Sequence, residues 1–161
     1  MEQHKGVATF ENELKAIEFE DIRAFTHNAI VASPPSFWKD KELVTYTKKV
    51  FKVVKELLEH DKVKSPIKDV ILAGVLLSDI AYNELSDQFK YLHPIAAGKL
   101  LEPVSKDVNK ALLEGILRII EAHEGDQTPS KLLEPKPGTP EHLVSIAHRL
   151  VKNQAIHVDI D

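Results

Sequence analysis

The sequence predicts an all-α domain of about five to seven helices, on three observations. Residues 70–77, Val-Ile-Leu-Ala-Gly-Val-Leu-Leu, are apolar on every side, which in a helix means burial all round. Several flanking segments repeat apolar residues at helical spacing, and no segment shows the alternation of a half-buried strand. The chain has 161 residues, long enough for one sizeable core, so a single domain over 1–161 is expected.

From the N-terminus, Phe10, Leu14, Ile17, Ile22, Phe25 and Ala29 recur at near-helical spacing, so residues 10–31 read as one or two amphipathic helices. Ser33-Pro34-Pro35-Ser36 stops them. Phe37 and Trp38 follow and read as aromatics lidding the core. Residues 42–60 form a strong helix, with Tyr46, Val50, Val53 and Leu57 in one stripe and Lys48, Lys49, Lys52 and Lys55 on a solvated face. Ser65-Pro66 opens the central helix with Pro at its first position. Gly74 lets a neighbouring helix come close, and the apolar run ends in Ser78-Asp79.

Residues 84–91 read as a polar connection, and His93-Pro94 opens the next helix. Asp107 is the expected N-cap of the helix after that, whose apolar stripe Val108, Leu112, Ile116, Ile119 continues to His123 and ends at Gly125. Residues 125–138 read as an ordered loop. Thr139-Pro140-Glu141 starts a last helix with Leu143, Ala147, Leu150 and Val151 inward and His148 at the edge.

Composition narrows the function classes. Hydrophobic residues make up 43% and charged residues 29%, an ordinary soluble balance. The net charge of −4 argues against a nucleic-acid binder, which would carry a basic field. With no cysteine, disulfides and thiolate metal sites are excluded, which fits a reducing, cytoplasmic setting. Met1-Glu2-Gln3-His4-Lys5 lacks the apolar stretch of a secretion signal, and no apolar run approaches the roughly 20 residues of a membrane span. No membrane association is expected.

Chemistry concentrates at Asp79, His93, His123 and His148, which stand at the inner faces or ends of four predicted helices. A buried carboxylate such as Asp79 needs a countercharge, hydrogen bonds or a metal. Imidazole and carboxylate together suit Zn²⁺, Fe, Mn²⁺ or Ni²⁺. No glycine-rich phosphate loop and no H-E-x-x-H motif occurs.

Leu76-Leu77-Ser78-Asp79-Ile80-Ala81, His93-Pro94-Ile95-Ala96-Ala97 and Ala122-His123-Glu124-Gly125 lead a series of stretches on which, from about residue 25 to residue 153, the chain resembles the HD superfamily of metal-dependent phosphohydrolases, and more narrowly a group of small HD-domain proteins found in Firmicutes and their phages. Leu76-Leu77-Ser78-Asp79-Ile80-Ala81 sits where the family writes L-L-H-D-I and a small residue. His93-Pro94-Ile95-Ala96-Ala97 resembles its H-P-x-x-A/G helix start, and Ala122-His123-Glu124-Gly125 a later histidine-bearing helix end. Pro135-Lys136-Pro137 and Ile146-Ala147-His148-Arg149-Leu150 resemble its P-K-P loop and final A-D-x-L helix. Ala32-Ser33-Pro34-Pro35-Ser36-Phe37-Trp38 resembles the group's N-terminal A-P-x-x-F-W stretch. The resemblance implies an HD-like helical bundle over residues 41–153, an N-terminal helical extension with its Pro-rich turn over 1–40, and a tail over 154–161.

The same resemblance exposes departures. Tyr46 takes the place of the family's first ligand His, Ser78 that of the His in the His-Asp doublet, Tyr82 that of a following Lys or Arg, and His148 that of the last ligand Asp. Only Asp79 keeps its residue type among the four core positions, beside the accessory His93 and His123. Two expectations follow. In the first, the domain is a degenerate, catalytically impaired HD domain with little or no metal, serving as a module that binds a nucleotide, another phosphate-containing molecule or a protein. Protonated His148 then replaces the metal's charge beside Asp79, and Tyr46 donates to Asp79. In the second, Asp79, His93, His123 and His148 hold one divalent metal weakly, with Asp79 catalytic, and still cleave a phosphate ester. In either, Tyr46, Asp79, His123 and His148 share a pocket with His93 at its rim, and Tyr82 and Lys131 are candidate ligand contacts.

Overall fold

A computed structural model describes residues 2–160. Nine α-helices and no strand occur among them: α1 (Lys5–Thr9), α2 (Glu11–Ala16), α3 (Glu20–Ala32), α4 (Pro35–Trp38), α5 (Lys41–His60), α6 (Ile67–Leu77), α7 (His93–Leu101), α8 (Lys110–Ala122) and α9 (Pro140–Lys152). The fold is all-α. No helix among the described residues is long and apolar enough to cross a membrane.

Helix α6 is the axis of the bundle, with α8, α5 and α3 packed round it. Every residue from Ile71 to Ala81 is buried, as an all-round apolar surface requires. Gly74 is where α8 presses closest: a Cβ there would stand 2.5 Å from the Ile119 side chain. The contact draws together the C-terminal ends of α6 and α8, which carry Asp79 and His123.

The N-terminal segment contributes to the same core as the rest. Phe10, Ile17, Ile22, Ile30 and Phe37 are fully buried and continuous with the residues of α6. Residues 10–31 make two helices, α2 and α3, as expected; the chain breaks before α2 at Phe10 and again between the two at 17–19. The second break has a cause in α6, where the fully buried Asp69 accepts from the backbone N–H of Glu18 at 3.0 Å and of Phe19 at 3.1 Å. A carboxylate from another helix thus satisfies free donors at the start of α3 and complements its dipole. Phe37 stacks on Phe10 with centroids 5.3 Å apart, so it is a core aromatic.

Three expectations need correction. Asn109, not Asp107, caps α8, accepting from Ala111 and Leu112. Pro66 sits just before α6 rather than at its first residue. Lys48 is not on a solvated face: it pairs with Glu13 at 2.8 Å above the Phe10 ring, tying α5 to α2. The caps at Asp40 for α5 and Thr139 for α9 form as their side chains dictate.

Candidate metal centre

Helix α6 ends at Leu77, and Asp79 follows at its negative end, where the dipole disfavours an anion. Two imidazoles answer it. His93 is the first residue of α7, and His123 closes α8, where a cation is favoured. Glu124 comes next in the chain. His93 Nε2 lies 3.1 Å from Asp79 Oδ1 and 3.4 Å from Glu124 Oε1. His123 Nε2 lies 3.4 Å from Asp79 Oδ1 and 3.2 Å from Glu124 Oε1. The two Nε2 atoms are 2.9 Å apart.

Backbone carbonyls orient both rings. His93 Nδ1 donates to Lys90 O at 2.7 Å, and His123 Nδ1 donates to Ile120 O at 2.6 Å. A carbonyl only accepts, so each Nδ1 carries a hydrogen and each neutral ring turns its lone pair inward at Nε2. Two imidazole lone pairs and two carboxylate oxygens therefore converge, all within 4.8 Å of one another. Four acceptors facing one another repel unless cations lie between them, as protons on the imidazoles or as one metal ion. The donor set suits a metal. A four-coordinate ion with bonds of about 2.1 Å needs ligand atoms about 3.4 Å apart, close to the nitrogen–oxygen separations of 3.1 to 3.4 Å. The buried Asp79–His93–His123–Glu124 group could hold a metal ion.

Without metal, protons on the imidazoles take the place of the ion between the two carboxylates. Burial opposes the charged form of His123, but hydrogen bonds to Asp79 and Glu124 outweigh it and raise its pKa to about 10. His93 is raised for the same reasons. Burial likewise works against the anions, yet hydrogen bonds from His123 and His93 hold Asp79 well below the usual carboxylate range, and Glu124 is lowered too.

His148 does not join them. Its Nδ1 lies 2.6 Å from the Tyr46 hydroxyl, and its Nε2 is buried without a partner. Burial, and then the positive charge of His123, push its pKa down to about 3, so it is neutral. The rings of His123 and His148 lie 4.6 Å apart, close enough for that repulsion. The expectation of a protonated His148 balancing Asp79 is thus overturned, and His148 lies outside the four-residue ligand group. Tyr46 hydrogen-bonds to His148, not to Asp79. His93 is not at a rim but inside the cluster.

The other candidates separate. Ser78 Oγ donates to Gly74 O at 2.6 Å, an internal bond of α6 that keeps it out of the cluster. Tyr82 sets its ring edge-on to His93, centroids 5.2 Å apart, and lines a cavity of about 260 Å³ with Asp79, Tyr46, Glu124 and Lys152. Lys131 is exposed in a short 3₁₀ turn and lines neither cavity beside the cluster. The residue that sequence reasoning missed is Glu124. It did leave a signal: an acidic residue at a helix C-terminus opposes the dipole, a local conflict that marks functional positions.

No family model, curated protein or solved structure matches the chain.

Proposed function

We propose that Asp79, His93, His123 and Glu124 hold one divalent transition metal, and that the domain is an HD-like hydrolase of a small phosphate-containing molecule. One observation carries the reading: four lone-pair atoms converge while both Nδ1–H groups are held outward by backbone carbonyls. Metal-ligating histidines are commonly oriented in this way. A divalent metal there would polarise a phosphoryl oxygen and lower the pKa of water. The chain's own residues hold and orient. Glu124 faces the two cavities beside the cluster, and Lys152, which lines both, offers a countercharge to an anionic ligand. The Tyr46 and Tyr82 phenols line the second cavity and stay protonated, burial raising both pKa values.

A second reading, a metal-free and non-catalytic binding module, is favoured by the contacts of two imidazoles with two carboxylates, which close the cluster without an ion. The test is hydrolysis of a panel of phosphate esters by protein reconstituted with Zn²⁺, Mn²⁺, Fe²⁺ or Ni²⁺, with Asp79→Asn as control. Turnover that needs metal and Asp79 supports the hydrolase. Absence of turnover with every metal refutes it.

A further inference from the structure

We propose that the cavity between α9 and the turn following α8 receives an oxyanion, with His148 Nε2–H as its buried donor and Tyr46 as the positioning residue that fixes the tautomer. The cavity measures about 350 Å³, and its walls include His148, Arg149, Lys152 and Ser145 beside the carboxylates of Glu124 and Asp126. His148 is a poor structural residue by itself: it is buried, and its Nε2 has no partner among the described residues. An unpaired buried donor costs free energy unless something satisfies it. The Tyr46 hydroxyl is 2.6 Å from Nδ1 and 3.4 Å from the His148 carbonyl. In the proposed arrangement the single phenolic hydrogen goes to the nearer acceptor, Nδ1, rather than to the carbonyl, which leaves the ring hydrogen at Nε2.

The cations flank this donor. Arg149 and Lys152 are three residues apart on α9, hence on one face. Arg149 pairs with Asp126 at 3.4 Å, so a carboxylate already stands where an incoming oxyanion would meet the guanidinium. Both cationic side chains are more than half exposed and can move aside to admit a ligand to the covered nitrogen. A guanidinium, an ammonium and an imidazole N–H beside one cavity suit an oxyanion. The inference rests on the reading that the neighbouring centre handles a phosphate-containing molecule; it adds where the anionic group sits.

The probe is inorganic phosphate, titrated calorimetrically into protein as purified and again after dialysis against chelator. Saturable one-site binding in both states is expected. His148→Phe, which keeps a ring and removes the donor, should weaken it about tenfold. Arg149→Gln should weaken it severalfold, and Lys131→Gln should not. Tyr46→Phe should weaken it less than His148→Phe and shift the ¹⁵N spectrum of His148 from one tautomer to a mixture, which a merely structural role would not do. The absence of saturable binding overturns the inference, as does a folded His148→Phe or Arg149→Gln protein that binds like wild type. Binding that requires metal and ignores both variants places the phosphate on the metal and overturns it equally. Cavity binding in a protein that never takes up metal would sink the metal reading and leave this one standing.

Discussion

His123 and His148 sit ring against ring, both almost wholly buried at 0% and 4% exposure, yet their pKa values move in opposite directions, to about 10 and about 3. Burial penalises the charged form of each. The difference lies in what the free Nε2 meets: two carboxylates for His123, and no partner for His148. Burial and residue type therefore do not assign a histidine's role. Its partners do, and here they separate a candidate metal ligand from a candidate ligand donor within one wall of side chains.

The sharpest break in this contrast is Asp79→Asn. It removes one of two anions that face His93 and His123, and breaking a buried ion pair from one side costs about 3–5 kcal/mol. Denaturant melts in chelator should show a loss of that order, and a loss under 1 kcal/mol would mean the cluster is not charged as described. Gly74→Ala comes next. Its Cβ would collide with Ile119 and spread α6 from α8, with an expected cost of about 1–3 kcal/mol in the same melts. Because the spread also parts Asp79 from His123, metal affinity should fall with stability; unchanged affinity would show that the two helix ends are positioned by something else.

The pH dependence of chelated protein tests the contrast from both sides. The folded pKa of His123 is raised, so its stabilising contribution is fully present below the unfolded value of about 6.5 and fades as pH rises through about 10. The folded pKa of His148 is depressed, so the unfolded chain binds the extra proton, and stability falls as pH drops from about 6.5 towards 3. Urea melts should show His148→Phe with a shallower acid limb and an alkaline limb like wild type. The reverse pattern would exchange the two roles. The smallest effect is that of His148→Phe at neutral pH, about 1 kcal/mol for the lost Tyr46 hydrogen bond, checked by the same melts.

Much of the fold was legible because it is written in local patterns: the all-apolar run before Ser78, the stripes of α5 and α8, Thr139 ahead of Pro140. What was not legible depends on groups distant in sequence. The break before α3 is held by Asp69, some 50 residues on, and no periodicity of residues 10–31 reveals that. At the site, Asp79, His93 and His123 were visible as residue types at helix ends. The pairing of Asp79 was not, because it follows from which ring edge each histidine presents, and backbone carbonyls at Lys90 and Ile120 fix that only in three dimensions. Glu124 was overlooked because its neighbour His123 carried the pattern.

Metal content measures the division between the two histidine settings most directly. Protein purified without chelator and equilibrated with Zn²⁺, then desalted, should hold one equivalent by elemental analysis. His148→Phe should keep it, whereas Asp79→Asn and His123→Gln should lose it. Wild-type protein that retains no Zn²⁺, Mn²⁺, Fe²⁺ or Ni²⁺, or a metal that survives Asp79→Asn but leaves with His148→Phe, would contradict the assignment.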